Sequence, residues 1–204
     1  MSKDYSLAVS EEELQSAKKA LENNGFKVEI LEDLEAARKK VAEIIPEGSE
    51  VFTATSLTLD TAKITDDMNE SGKYVSVRDK FMPLYGKPEK AVEMRRIGSG
   101  ADYALGSVHA VTGEGHLLIA SASGSQIPNY AYGATNVIWV VGAQKIVKNL
   151  DEAFERLETY TFPLENERAK KAYGSGSSIN KILINRKEPT GRGTVFLLRQ
   201  AVGF

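Results

Sequence analysis

The sequence predicts an α/β domain built on buried, mostly parallel strands, and three observations carry that expectation. LLIA (residues 117–120) and VIWVV (residues 137–141) are short apolar runs without polar alternation, the pattern of a strand covered on both faces. Each run passes directly into small residues, the first into SASGSQ (121–126) and the second into Gly142. Amphipathic helical stretches alternate with such runs along the chain, as in sheets whose ligands gather at the carboxyl ends of the strands. A site is therefore expected within residues 98–142, which hold the most apolar strands and most of the glycine-rich loops.

Composition bounds the function. The 204 residues are 42% hydrophobic and 26% charged, enough for one well-buried core. Residues 1–30 read as a helix-and-strand lead-in to the same domain, whose body is 31–204. With 26 Lys and Arg against 28 Asp and Glu, the formal charge of -2 favours neither nucleic acid nor anionic lipid. Cys is absent, which excludes thiolate nucleophiles and cysteine-ligated clusters in this chain and fits a reducing compartment. No apolar run approaches the roughly 20 residues needed to span a bilayer, and MSKDYSLAVSEEE lacks a signal-peptide core. A cytoplasmic protein is expected.

In chain order, Ser10 and Glu13 form a capping box for a helix beginning at Glu11, with Leu14, Ala17 and Leu21 as its stripe and Gly25 at its end. A strand over 27–30 precedes a helix with Leu34, Ala37, Val41 and Ile44 on one face, stopped by Pro46. Residues 47–60 read as turn, strand and polar loop before one helix carrying Leu59, Ala62 and Met68. Residues 75–87 are irregular and read as a long surface connection or lid. Pro88 opens a helix whose Ala91, Met94 and Ile97 face inward. Asn149 and Glu152 cap a helix that Pro163 breaks, and a second helix runs over 164–173 to Gly174. SGSS (175–178) is a joint. The chain closes on two strands, 182–185 and 195–198, with EPTGRG between them as a hairpin-like connection.

Several residues combine chemistry with position. Thr53, Thr55, Ser56 and Thr58 place hydroxyls at a strand end just before a helix, an anion-binding arrangement that is also the signature of an ordinary N-cap. Ser123, Gly124, Ser125 and Gln126 follow LLIA, where glycine permits close backbone approach and amides can face a negative group. Glu114, between Gly113 and Gly115, is the first choice for a nucleophile or general base, against the plainer reading of a solvated turn carboxylate. His109 follows the ALGSV strand and is expected on the rim, within reach of Glu114 for proton transfer, whereas His116 reads as structural. Lys145, just after VIWVVG, is placed to balance the charge of an anion, with Asn180 and Lys181 as secondary contacts. No metal-ligand spacing, Walker A pattern or dinucleotide fingerprint is present. Convergence of these loops in one pocket, with Glu114 partly buried and its pKa raised, is the sharpest expectation.

The run GADYALGSVHAVT, GHLLIASASGSQ, YAYGA and VIWVVGAQKIV, with SEVFTATSLTL and PLENERAKKAYG, resembles the LUD domain, the lactate-utilisation type, from about Leu31 to the C-terminus. The resemblance implies a three-layer α/β/α fold related to the NagB, RpiA and CoA-transferase group. In that group a βα loop, a GAD-type segment and a glycine-flanked loop surround the active centre. Thr53 to Ser56, Gly100 with Asp102, and Gly113 to Gly115 stand at the analogous places here. Tyr103 follows Asp102 and the glycine loop lacks Lys, which departs from the sugar-phosphate isomerases. The function implied is binding of a small carboxylated or phosphorylated metabolite in lactate or related organic-acid use. The alternatives are a non-catalytic subunit docking onto iron–sulfur protein subunits of a lactate-oxidising complex, and a CoA-transferase-like enzyme using Glu114. The sequence specifies no cofactor.

Overall fold

The computed structural model describes residues 3–204. The capping box forms: Ser10 Oγ accepts from the Glu13 amide and the Glu13 carboxylate accepts from the Ser10 amide, opening α1 (Glu11–Asn23), which buries Leu14, Ala17 and Leu21. β1 (Lys27–Leu31) leads to α2 (Leu34–Ile44), whose N-cap Asp33 accepts from the Ala36 amide at 2.8 Å. β2 (Glu50–Thr53) is followed by two short helices, α3 (Leu57–Thr61) and α4 (Ile64–Glu70), where one was expected. The break falls at Lys63, whose φ of 61° puts a side-chain-bearing residue in the left-handed region and turns the chain between them.

The stretch read as a loop contains β3 (Val75–Ser76) and α5 (Val77–Phe81), then a tight turn over 82–84. Ser76 caps α5 by accepting from the Asp79 amide, and Val77 is the buried residue of a helix too short to show periodicity. Pro88 opens a single 3₁₀ turn before α6 (Ala91–Ile97). Then come β4 (Tyr103–Gly106), β5 (Ala110–Thr112), β6 (Leu117–Ser121), β7 (Asn136–Gly142), β8 (Ile146–Val147) and α7 (Leu150–Arg156). A wide helical turn over 157–161 joins α7 to α8 (Phe162–Tyr173), so Pro163 sits in the first turn of α8 and starts it. β9 (Lys181–Asn185) and β10 (Gly193–Leu198) complete the chain.

The expected α/β domain is present, with helices flanking parallel and antiparallel strands. Six parallel strands form the central sheet in the order β1-β10-β7-β4-β2-β3. The side chains of β7 alternate as the pleat requires. Val137, Trp139 and Val141 face a core shared with α1, while Ile138 and Val140 face one shared with α2, α3 and α4.

A second sheet, β8-β5-β6-β9, covers part of the first face and pairs β6 antiparallel to β5 and β9. Its Val111, Leu117 and Ile119 join the α1 core, and its Ala110 and Leu118 pack outward onto Ala153 of α7. LLIA is therefore buried on both faces, but in this mixed sheet and not in the parallel one. The two C-terminal strands form without a hairpin: β9 lies on the edge of the second sheet, and β10 enters the first between β1 and β7. Burial explains the split, because four consecutive residues of β10, Val195 to Leu198, are inaccessible and need neighbours on both sides, while β9 is half exposed.

Tyr130 stacks edge-on against Trp139 at 5.5 Å, and its hydroxyl lies where a Cβ on Gly106 would stand. Gly106→Ala is expected to cost roughly 1–3 kcal/mol through overpacking. Urea denaturation measures the loss, and an unchanged midpoint would show that Tyr130 can move aside freely.

Candidate functional site

Because the central sheet is parallel, the segments after β2, β4 and β7 emerge on one edge. There Thr53 to Thr58, Ser107 to His109 and Lys145 line a cavity of about 780 Å³, which the 121–126 loop after β6 also borders. α5, α6 and α8 form the outer walls with Phe81, Met94, Phe162 and Tyr173. Glu165 is the one carboxylate side chain among the described residues lining it, and Arg168 holds it in a two-pronged pair at 2.6 and 2.7 Å.

The inner end is cationic. Lys145 is 2% exposed, and its Nζ donates to Ser107 Oγ at 3.0 Å and, at a longer 3.4 Å, to Thr58 Oγ1. Burial, reinforced by the nearby Arg156 guanidinium, pulls its pKa down to about 7. No carboxylate is among the groups that act on it. Arg156 is fully buried behind the cavity, donating to the carbonyls of His109 (2.5 Å) and Gln144 (3.3 Å) and to Thr161 Oγ1 (2.7 Å), while its Nη2 has no partner. Burial lowers its pKa to about 10, so it stays charged at neutral pH.

His109, half-buried, feels the charge of both cations. Burial first, then Lys145 and Arg156, push its pKa down to about 3. Its Nδ1 accepts from the Ala120 amide at 3.0 Å, so the neutral ring carries its proton on Nε2 and offers a donor. Ammonium, imidazole N–H and two hydroxyls around one polar end, with a guanidinium buried behind them, form a set suited to an anion.

A family model described as the LUD domain matches residues 14–188. The chain belongs to the LUD-domain family. Membership implies a role in lactate or related organic-acid metabolism. The crystal structure of a DUF162 family protein from Deinococcus radiodurans is similar in fold, with a TM-score of 0.56 and 11% sequence identity over 92% of this chain and 96% of that one. No curated protein matches the sequence. The matched region starts within α1, and β1 is an edge strand of the central sheet.

Within this LUD domain, Thr53, Thr55, Ser56, His109, Ser123, Gly124, Ser125, Gln126 and Lys145 all border the one cavity. Some are already engaged. Thr53 Oγ1 bonds Asn69, and Ser56 caps α3 by accepting from the Leu59 amide. In the serine loop the Gly124 amide donates to Ser121 Oγ and the Ser125 amide to Ser123 Oγ, so these two amides serve the loop and do not face a ligand.

Five residues lie elsewhere, two of them beside the serine loop: Asn180, whose Nδ2 donates to the Ala122 carbonyl at 3.2 Å, and Lys181, whose side chain packs against Gly124. Glu114 is at the exposed β5–β6 turn, its carboxylate 3.4 Å from His116 Nδ1 and its carbonyl held by Asn24 Nδ2 at 2.7 Å. It is not a cavity residue, and neither partial burial nor pairing with His109 is found. The flanking glycine serves the turn: Gly115 has φ 77° and packs so close to Ala20 that no Cβ fits. Asp102 sits at the amino end of β4 and accepts from the Glu50 amide at 2.9 Å, on the opposite edge of the sheet. Gly100, beside the Gly133 carbonyl, is likewise outside the cavity.

Sequence reading missed Arg156 and Ser107. Arg156 stands three residues after Ala153 on the buried side of α7, and a basic residue on an apolar stripe was its available signal. Among the described residues no three His, Asp or Glu side chains are grouped as a metal ion would require.

Proposed function

We propose that this LUD domain binds a small carboxylated or phosphorylated metabolite with its anionic group at Lys145, Ser107 and the Nε2–H of His109. The observation that carries this reading is a buried ammonium facing a cavity with a second buried cation behind it and no carboxylate paired to either. Uncompensated buried charge is costly, and an incoming anion would offset it. Thr58 and Thr161, both on the cavity wall, accept from one cation each, and neither supplies a negative charge to balance it. The position of Glu114 gives no support to CoA-transferase-like chemistry at that residue. Family membership is consistent with participation in a lactate-utilisation complex.

Calorimetric titration with lactate, pyruvate and inorganic phosphate tests the reading. At least one is expected to bind wild type and to lose at least about tenfold in affinity, on the scale of a lost charge-assisted hydrogen bond, in Lys145→Met. Glu114→Gln is expected to bind like wild type. Equal binding by wild type and Lys145→Met would refute the assignment.

A further inference from the structure

We infer that the natural ligand of this site is an acid whose anionic head is joined to an apolar body at least the size of an aromatic ring, and not a bare three-carbon acid. The inference rests on the anion-binding reading above and concerns what fills the rest of the cavity. A three-carbon hydroxy acid has six heavy atoms, which at no more than about 30 Å³ each fill at most roughly 180 Å³. The cavity measures about 780 Å³. Lactate seated at Lys145 would leave most of it to water.

The remaining wall gathers large apolar side chains beside its polar ones. Phe81, Met82, Tyr85, Phe162 and Tyr173 line the outer part of the cavity, on two separate stretches of chain, residues 81–85 and α8. Tyr85 is 70% exposed and Tyr173 65% exposed, while Met82 and Leu57, also on the cavity wall, rank among the chain's other exposed large apolar residues. Single exposed apolar side chains need no explanation, but several gathered around one opening mark a binding surface. Polarity is thus graded along the cavity, with the donor cluster at the inner end and rings and thioether at the mouth. Arg168 lies over the Tyr173 ring at 5.6 Å and fixes its position, and Arg78 and Arg95 add positive charge to the same wall. An anionic head with an apolar body matches that gradient in order and in size.

The test compares lactate with 3-phenyllactate, which differ only by the ring, in calorimetric titrations of wild type, Tyr85→Ser and Tyr173→Ser. Both substitutions are at exposed positions on different elements, so a folding defect in one leaves the other informative. The ring is expected to tighten binding to wild type by about tenfold or more, as burial of a phenyl-sized body implies. Each substitution is expected to shrink the ratio of the two dissociation constants by about threefold or more, since each removes part of that contact. Lactate binding as tightly as phenyllactate overturns the inference and leaves the anion site intact. A ring advantage unchanged in both variants overturns it as well, because the ring would then sit elsewhere. Failure of both acids to bind overturns this inference, and it overturns the anion reading too only if pyruvate and inorganic phosphate also fail to bind.

Discussion

Lys145→Met should make the protein more stable at neutral pH while weakening its anion binding at least about tenfold. The lysine pKa is held at about 7 against an ordinary 10.5, a penalty on the order of 5 kcal/mol for the charged form. Met keeps the length and fills the space without that charge, so a gain of roughly 1–4 kcal/mol is expected, as when buried ions are replaced by apolar side chains. The pH dependence gives the sign. Between about 7 and 10.5 the unfolded chain binds more protons at this position than the folded one, so the lysine's penalty is full below about 7 and fades as pH rises toward 10.5. The stability gap between variant and wild type should therefore close as pH is raised, which denaturant unfolding at several pH values would follow. A variant less stable than wild type at neutral pH, or a gap independent of pH, contradicts the assignment.

Removing Arg156 should have the opposite effect on stability. Its guanidinium is the donor to the His109 and Gln144 carbonyls and to Thr161 Oγ1, linking the ends of β4 and β7 to the turn after α7. Arg156→Ala leaves these acceptors facing a void and should cost about 3 kcal/mol or more, from unsatisfied polar groups and the cavity together. Because Arg156 also depresses the pKa values of Lys145 and His109, both should rise in the variant. Denaturant unfolding reads the first effect and NMR titration of the lysine side chain the second. A loss below about 1 kcal/mol, less than one buried unsatisfied group costs, or an unmoved lysine pKa, would mean that Arg156 is not the support described.

How far these features were legible depended on the range of the interaction. Local signals served well: the Ser10 and Glu13 box, the Asn149 cap and the two apolar runs all showed in short stretches of sequence. Apolar runs report burial on both faces but not the neighbour, which is why LLIA could be placed in the wrong sheet. The strand-end rule brought Thr53 to Ser56 and Lys145 to the cavity, because a parallel sheet delivers strand ends to one edge whatever the side chains, while the serine loop reaches the same cavity from β6 of the mixed sheet. It failed for Glu114, where β5 and β6 pair antiparallel and carry the turn between them away from that edge. Arg156 was hidden because its partners are backbone carbonyls of distant segments, and a carbonyl leaves no mark in a sequence.

The central claim is that an anion binds directly at Lys145, and the protons taken up on binding test it. At about pH 8 an amine of pKa near 7 is mostly neutral, and a bound anion raises that pKa and draws in a proton. Calorimetric titration of phenyllactate into the protein in buffers of different ionisation enthalpy measures this uptake. The account predicts a substantial fraction of a proton taken up by wild type and a much smaller uptake by any Lys145→Met protein that still binds. Binding to wild type without proton uptake, or the same uptake in Lys145→Met, would contradict it.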